Sequence, residues 1–167
     1  IGEDVPLVSQ NADVLRAPAS LTKLLTALIA KETLEASANI RISSEAKAVG
    51  EKVSPVPPGE MVSRDDALAL ALVASDNDAA AALAEAVGMA RGANIFSDAM
   101  DMFSVEALGF AKRLGLTRTT LVNPTGLDDQ RHVTTARDLY TLAAYQWRNH
   151  RDLIETTRKT DIYVSSL

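Results

Sequence analysis

Ser20-Leu21-Thr22-Lys23 places a hydroxyl three residues ahead of an amine, directly before the apolar run Leu24-Leu25-Thr26-Ala27-Leu28-Ile29-Ala30. On a helix, positions i and i+3 share a face, with Cβ atoms about 5–6 Å apart. A neutral lysine at that spacing can take the serine proton. A helix N-terminus favours the alkoxide that forms. Lys23 is flanked by leucines, and desolvation lowers a lysine pKa toward that of a usable base. A second group lies downstream in Ser75-Asp76-Asn77. Ser75 reads as a helix N-cap, with Asp78 completing a capping box. The same short loop can aim the Ser75 hydroxyl and the Asn77 amide into a cleft. There Ser75 would relay a proton to a leaving group, and Asn77 would hydrogen-bond a substrate amide and Lys23.

Other chemistries find less support. A Ser-His-Asp triad would have to use His132 or His150, the two histidines, and no G-x-S-x-G elbow is present. His132 precedes a helix cap and reads as a loop or packing residue, while His150 lies in a polar, arginine-flanked stretch and reads as solvated. Asp65-Asp66, Asp76 with Asp78, and Asp128-Asp129 sit where caps and turns want acids, without a calcium-loop pattern. No metal and no cofactor are expected. The chain has no cysteine, which excludes disulfides and thiolate chemistry. A net charge of -5 without a basic stripe argues against nucleic acid. No apolar run approaches the roughly 20 residues of a membrane helix, and no signal peptide opens the chain. Arg137, in the first turn of a helix, sits unfavourably for a cation. It is expected to have a structural partner, a buried carboxylate, rather than a substrate.

The elements that must position these groups are mostly helical. With 167 residues and 47% apolar content, the chain reads as one domain, 1–167, with a real core. Helices are expected from about Pro18 to Leu34, from Ser63-Arg64-Asp65-Asp66 through Val73, from Ser75 to near Gly88, from Asp98 to Arg113 before Gly115, and from Thr135 to about Trp147. Ser44 to Val49 reads as a brief helix. Val5-Pro6-Leu7-Val8, Ile40-Arg41-Ile42 and Ile162-Tyr163-Val164 read as short strands, and Thr119 to Pro124 as irregular or weakly extended. Helices flanked by terminal strands suggest an α/β arrangement whose sheet is built from the chain ends.

The two motifs resemble the S-x-x-K and S-x-N signatures of the penicilloyl-serine transferases, that is, the penicillin-binding proteins and serine β-lactamases. The chain looks most like a low-molecular-mass penicillin-binding protein, a serine-type D-alanyl-D-alanine carboxypeptidase. Supporting matches are Asn11-Ala12-Asp13, Arg16-Ala17-Pro18-Ala19, Pro58-Gly59-Glu60, Leu114-Gly115-Leu116, Asn123-Pro124-Thr125-Gly126-Leu127 and His132-Val133-Thr134-Thr135-Ala136-Arg137-Asp138-Leu139. They follow the family order through most of the chain. The resemblance implies a β-lactamase/transpeptidase-like α/β fold, a helical cluster packed on an antiparallel sheet. It implies that Ser20 attacks the D-Ala-D-Ala carbonyl of a peptidoglycan stem peptide while Lys23 accepts its proton. Ser75 and Asn77 would assist, and two backbone N–H groups, one from Ser20, would hold the oxyanion. β-Lactams would acylate the same serine, in an extracytoplasmic compartment such as the periplasm or cell envelope.

The third family motif, Lys-Thr-Gly, is absent. Lys159-Thr160 is followed by Asp161 and falls too early in the chain. The sheet is therefore expected to be truncated at both ends, with this chain a piece of a longer enzyme or a catalytically incomplete relative. A class A-like β-lactamase is the first alternative, although its E-x-x-L-N glutamate context is missing. A non-catalytic peptidoglycan- or protein-binding relative is the second.

Overall fold

The computed structural model describes residues 6–51 and 54–165. A 3-10 turn at Ala19–Leu21 runs into α1 (Thr22–Thr33). Then follow β1 (Asn39–Arg41), α2 (Ser44–Lys47), β2 (Met61–Ser63), α3 (Arg64–Val73) and α4 (Asn77–Ala90). The chain continues through α5 (Phe96–Leu114), α6 (Ala136–Asn149) and α7 (Arg151–Thr156).

The centre is α4. Its run Ala79–Ala84 is buried on every side, as expected for a helix that is apolar all round. Small side chains let α1, α3 and α5 close around it. The approach is tightest at Gly88, where an added Cβ would lie 2.2 Å from the Ala99 carbonyl oxygen of α5. Leu25, Leu28 and Ile29 of α1 are buried in this core, as are Leu68 and Leu70 of α3 and Phe103 and Phe110 of α5. Gln146 of α6 donates to the Leu24 carbonyl at 2.8 Å, tying α6 across α1.

Local signals set most helix ends. The Ser63, Asp76 and Thr135 side chains accept from Asp66 N, Ala79 N and Asp138 N, each capping its helix at the third N–H. Gly115 ends α5 in the left-handed conformation, φ 73°. The cap of α4 is therefore Asp76, not Ser75. Ser75 instead takes φ 57°, in the left-handed region.

The sheet keeps the expected antiparallel pairing and the strand at Ile40-Arg41, but departs from expectation in its other strands. It pairs β1 with β2, antiparallel, with Ile40 opposite Val62. Both strands lie inside the chain rather than at its ends. Residues 6–8 and 162–164 form no strand, and Val5 lies outside the described residues. The first helix starts later than Pro18, because residues 19–21 form the tighter 3-10 turn. The helix α7 was not expected: Arg148-Asn149-His150-Arg151 reads as polar surface, yet Leu153 turns inward and is buried.

Candidate active site

The nucleophile candidate sits where α1 meets the first turn of α4 and the turn 123–127. Lys23 Nζ lies 3.1 Å from Ser20 Oγ, 2.8 Å from Asn77 Oδ1 and 2.8 Å from the Thr125 carbonyl oxygen. The Lys23 side chain is only 2% exposed, so it does not lie on a solvent face. Asn77 Nδ2 donates to the Gly50 carbonyl at 3.1 Å, which fixes the amide orientation and turns its oxygen to Lys23. The Ser54 backbone is held in turn by Asp78. Its Oδ2 accepts from Ser54 N at 2.8 Å and pairs with Lys47 Nζ at 3.0 Å.

Ser75 lines a cleft of about 610 Å³ together with Ser20, Lys23, Leu24, Leu72 and Thr157. Its Oγ is buried without a hydrogen-bond partner among the described residues, a costly state unless another group supplies the bond. Ser20 also lines a smaller cleft of about 170 Å³, rimmed by Asn77, Thr125, Gly126, Glu51 and Asp128. Ser20 thus lines both clefts. Ala19, beside it, takes φ 48°, and Ser75 across the cleft takes φ 57°. Non-glycine residues held in this region cluster where function demands a set geometry.

Several positions are given no role in the Ser20 site by the sequence. The turn 123–127 is wound around Asn123, whose Oδ1 accepts from the backbone N–H groups of Thr125, Gly126 and Leu127. Only its Asn-Pro-x-Gly composition signalled a turn. His132 is buried and hydrogen-bonded to Thr22, between Ser20 and Lys23. Val122 N–H faces Nδ1 at 3.4 Å, so Nε2 carries the proton and donates to Thr22 Oγ1 at 2.9 Å. Burial pushes the His132 imidazole below its ordinary pKa. Burial also pushes the Asp76 carboxyl up, partly offset by the Ala79 N–H that it accepts.

Two expectations need correction. His150 is not simply solvated: its Nε2 lies 2.9 Å from Glu32 Oε1. The same carboxylate also takes Tyr145 and Arg113, because α1, α5 and α6 end at one corner. Arg137 has its structural partner, but Asp13 is half exposed rather than buried, at 2.7 Å. Lys159, Thr160 and Asp161 are exposed, and Thr160 bonds only locally, to Asp161.

Residues 5–166 match the family profile described as D-alanyl-D-alanine carboxypeptidase. The chain is 32% identical over 142 residues to the D-alanyl-D-alanine carboxypeptidase DacF of Bacillus subtilis, covering 82% of this chain and 34% of that protein. It is 40% identical over 136 residues to a D-alanyl-D-alanine endopeptidase of Pseudomonas aeruginosa, covering 80% of this chain and 40% of that protein. Among solved structures, the D-alanyl-D-alanine carboxypeptidase DacD of Francisella tularensis superposes with a TM-score of 0.79 at 33% identity, over 90% of this chain and 36% of that one. A D-alanyl-D-alanine carboxypeptidase of Mycobacterium tuberculosis gives 0.81 at 24% identity, over 96% and 60%, a likeness of fold alone. The chain therefore spans about a third to two-fifths of the length of these curated relatives.

Proposed function

The chain belongs to the D-alanyl-D-alanine carboxypeptidase family, and from that premise we propose that Ser20 is the acylating serine of a peptidoglycan-trimming hydrolase. Residues 1–167 are read as part of one transpeptidase-like catalytic domain, working outside the cytoplasm on stem peptides. The reading is carried by one observation, the contact of Lys23 Nζ with Ser20 Oγ, Asn77 Oδ1 and the Thr125 carbonyl. A neutral amine has two N–H groups and one lone pair. The Asn77 and Thr125 oxygens can only accept, so they use the two N–H groups. Of these three partners only the Ser20 hydroxyl can also donate, so it is the one of them that the lone pair can engage. Burial opposes the charged form of an amine, which is the form a base must avoid.

The step then balances as follows. The Ser20 proton passes to Lys23 Nζ while Oγ bonds the carbonyl carbon of the penultimate D-alanine. The carbon–nitrogen bond to the terminal D-alanine breaks, and its nitrogen takes a proton delivered through Ser75. Water later cleaves the Ser20 ester. Asn77 also faces the smaller cleft, where its side chain would meet the acyl donor's amide. A β-lactam, with its strained amide in place of the peptide bond, would acylate the same oxygen.

The test is steady-state assay of D-alanine release from an N-acylated peptide ending in D-Ala-D-Ala, alongside hydrolysis of a chromogenic cephalosporin. D-Alanine release without cephalosporin turnover is the expected pattern. Sustained turnover would transfer the reading to a β-lactamase. Silence in both, with the fold intact, would favour a non-catalytic binding relative, in keeping with the absence of Lys-Thr-Gly from these 167 residues.

A further inference from the structure

We propose that Asn123 is a positioning residue for both Ser20 and Lys23, acting through the turn that it organises. The inference rests on the acyl-transfer reading of this site. Asn123 Oδ1 accepts from Gly126 N at 2.8 Å, from Thr125 N and Leu127 N at 3.2 Å each, and from Thr125 Oγ1 at 2.9 Å. Its Nδ2 donates back to the Leu127 carbonyl at 2.9 Å. With these N–H groups drawn inward to one oxygen, the Pro124 and Thr125 carbonyls face outward, onto α1. The Pro124 carbonyl accepts from Thr26 Oγ1 at 2.7 Å, and the Thr125 carbonyl accepts from Lys23 Nζ at 2.8 Å.

The same turn presses on the nucleophile. Gly126 takes φ +88°, and a Cβ there would lie 1.9 Å from the Ala19 carbonyl oxygen, 2.4 Å from its carbon and 3.0 Å from Ser20 N. Ala19 is itself held at φ 48°. One side chain thus fixes an acceptor of the base and buttresses the peptide bond that precedes the serine.

The chemistry of the side chain matters as well as its shape. A carboxylate would keep the four acceptor bonds of Oδ1. It would lose the Nδ2 donor and set a negative charge on the turn whose carbonyl faces Lys23, favouring the ammonium. The side chains bonded to Lys23 from its own turn and from α4 are the neutral Ser20 and Asn77, and α3 presents Ala71 and Leu72 to the same cleft. The ionisable groups on the surrounding elements are Asp76 and Asp78 at the start of α4, Glu51 and Asp128 on the cleft rim, and His132 beyond Thr22.

The test compares Asn123→Asp, Asn123→Ala and Gly126→Ala in the full chain, each checked for native circular dichroism. The Lys23 side chain is titrated by NMR on 13C-lysine-labelled protein, with its signal assigned by Lys23→Arg. Penicillin acylation rates are measured against pH. Asn123→Asp should raise the Lys23 midpoint by roughly half a unit or more, and the acid limb of acylation should move with it. Asn123→Ala and Gly126→Ala should slow acylation about 10- to 100-fold at the pH optimum, the scale of a 1 Å misplacement. An unchanged Lys23 midpoint in Asn123→Asp, or wild-type rates in the other two, overturns the proposal. If the unmodified chain takes no penicillin, the acyl-transfer reading fails, while the Lys23 midpoints still decide the role of Asn123. Should Asn123→Ala not fold, the other two variants decide it.

Discussion

Around Ser20, the polar side chains of Lys23, Asn77 and Thr125 are buried and paired; at residues 7, 8 and 163, apolar side chains stand in solvent. Lys23, Asn77 and Thr125 are at most 4% exposed, whereas Leu7, Val8 and Tyr163 are at least 84% exposed. The difference shows where this fold holds its order. The junction of α1, α4 and the turn 123–127 closes its hydrogen bonds across three segments far apart in sequence, so each residue there is fixed by the others. Residues 6–8 and 162–164 have strand-forming side chains but no strand beside them among the described residues. A strand without a partner leaves its N–H and C=O groups to water.

That contrast can be broken at four points, from the largest effect down. Leu28→Ala, in the fully buried face of α1, should cost about 2–5 kcal/mol in urea denaturation. A smaller loss would mean that the core can collapse around α1. Lys23→Ala strips the Asn77 oxygen and the Thr125 carbonyl of their shared donor. Unfolding should become easier by about 1–3 kcal/mol; stability equal to wild type would show that the cluster is not closed as described.

His132 gives a pH dependence. Burial holds its imidazole below the ordinary 6.5, so the unfolded chain binds the extra proton first. The neutral histidine's contribution is present above about pH 6.5 and is lost as pH falls through the lower folded value, with a slope bounded by about 1.4 kcal/mol per pH unit. Denaturation at pH 7.5 and pH 5 should show wild type losing more stability than His132→Gln. Equal losses would remove His132 from the account. Leu7→Ala, at the opposite extreme, should change stability by no more than about 0.5 kcal/mol; a core-sized loss would mean that residue 7 has a packing partner.

The same contrast explains what could be read in advance. Helix existence was legible because periodicity and caps are local: Ser63 and Thr135 cap as their boxes foretold. The pair Ser20 and Lys23 was legible because i and i+3 share one helical face. The strands foreseen at the chain ends were not formed, because a strand depends on a partner that local sequence does not name. Ser75 misled because a capping box can shift by one residue, and here Asp76 caps while Ser75 turns left-handed. Pro124, Thr125 and His132 reach α1 from about a hundred residues away, a distance no local spacing reveals.

The most direct measurement of the central claim is intact-protein mass spectrometry before and after incubation with a penicillin, followed by peptide mapping. The account predicts a gain of one penicillin mass, located on Ser20 and absent from Ser20→Ala. An adduct that persists in Ser20→Ala, or a folded wild-type chain that takes none, would contradict it.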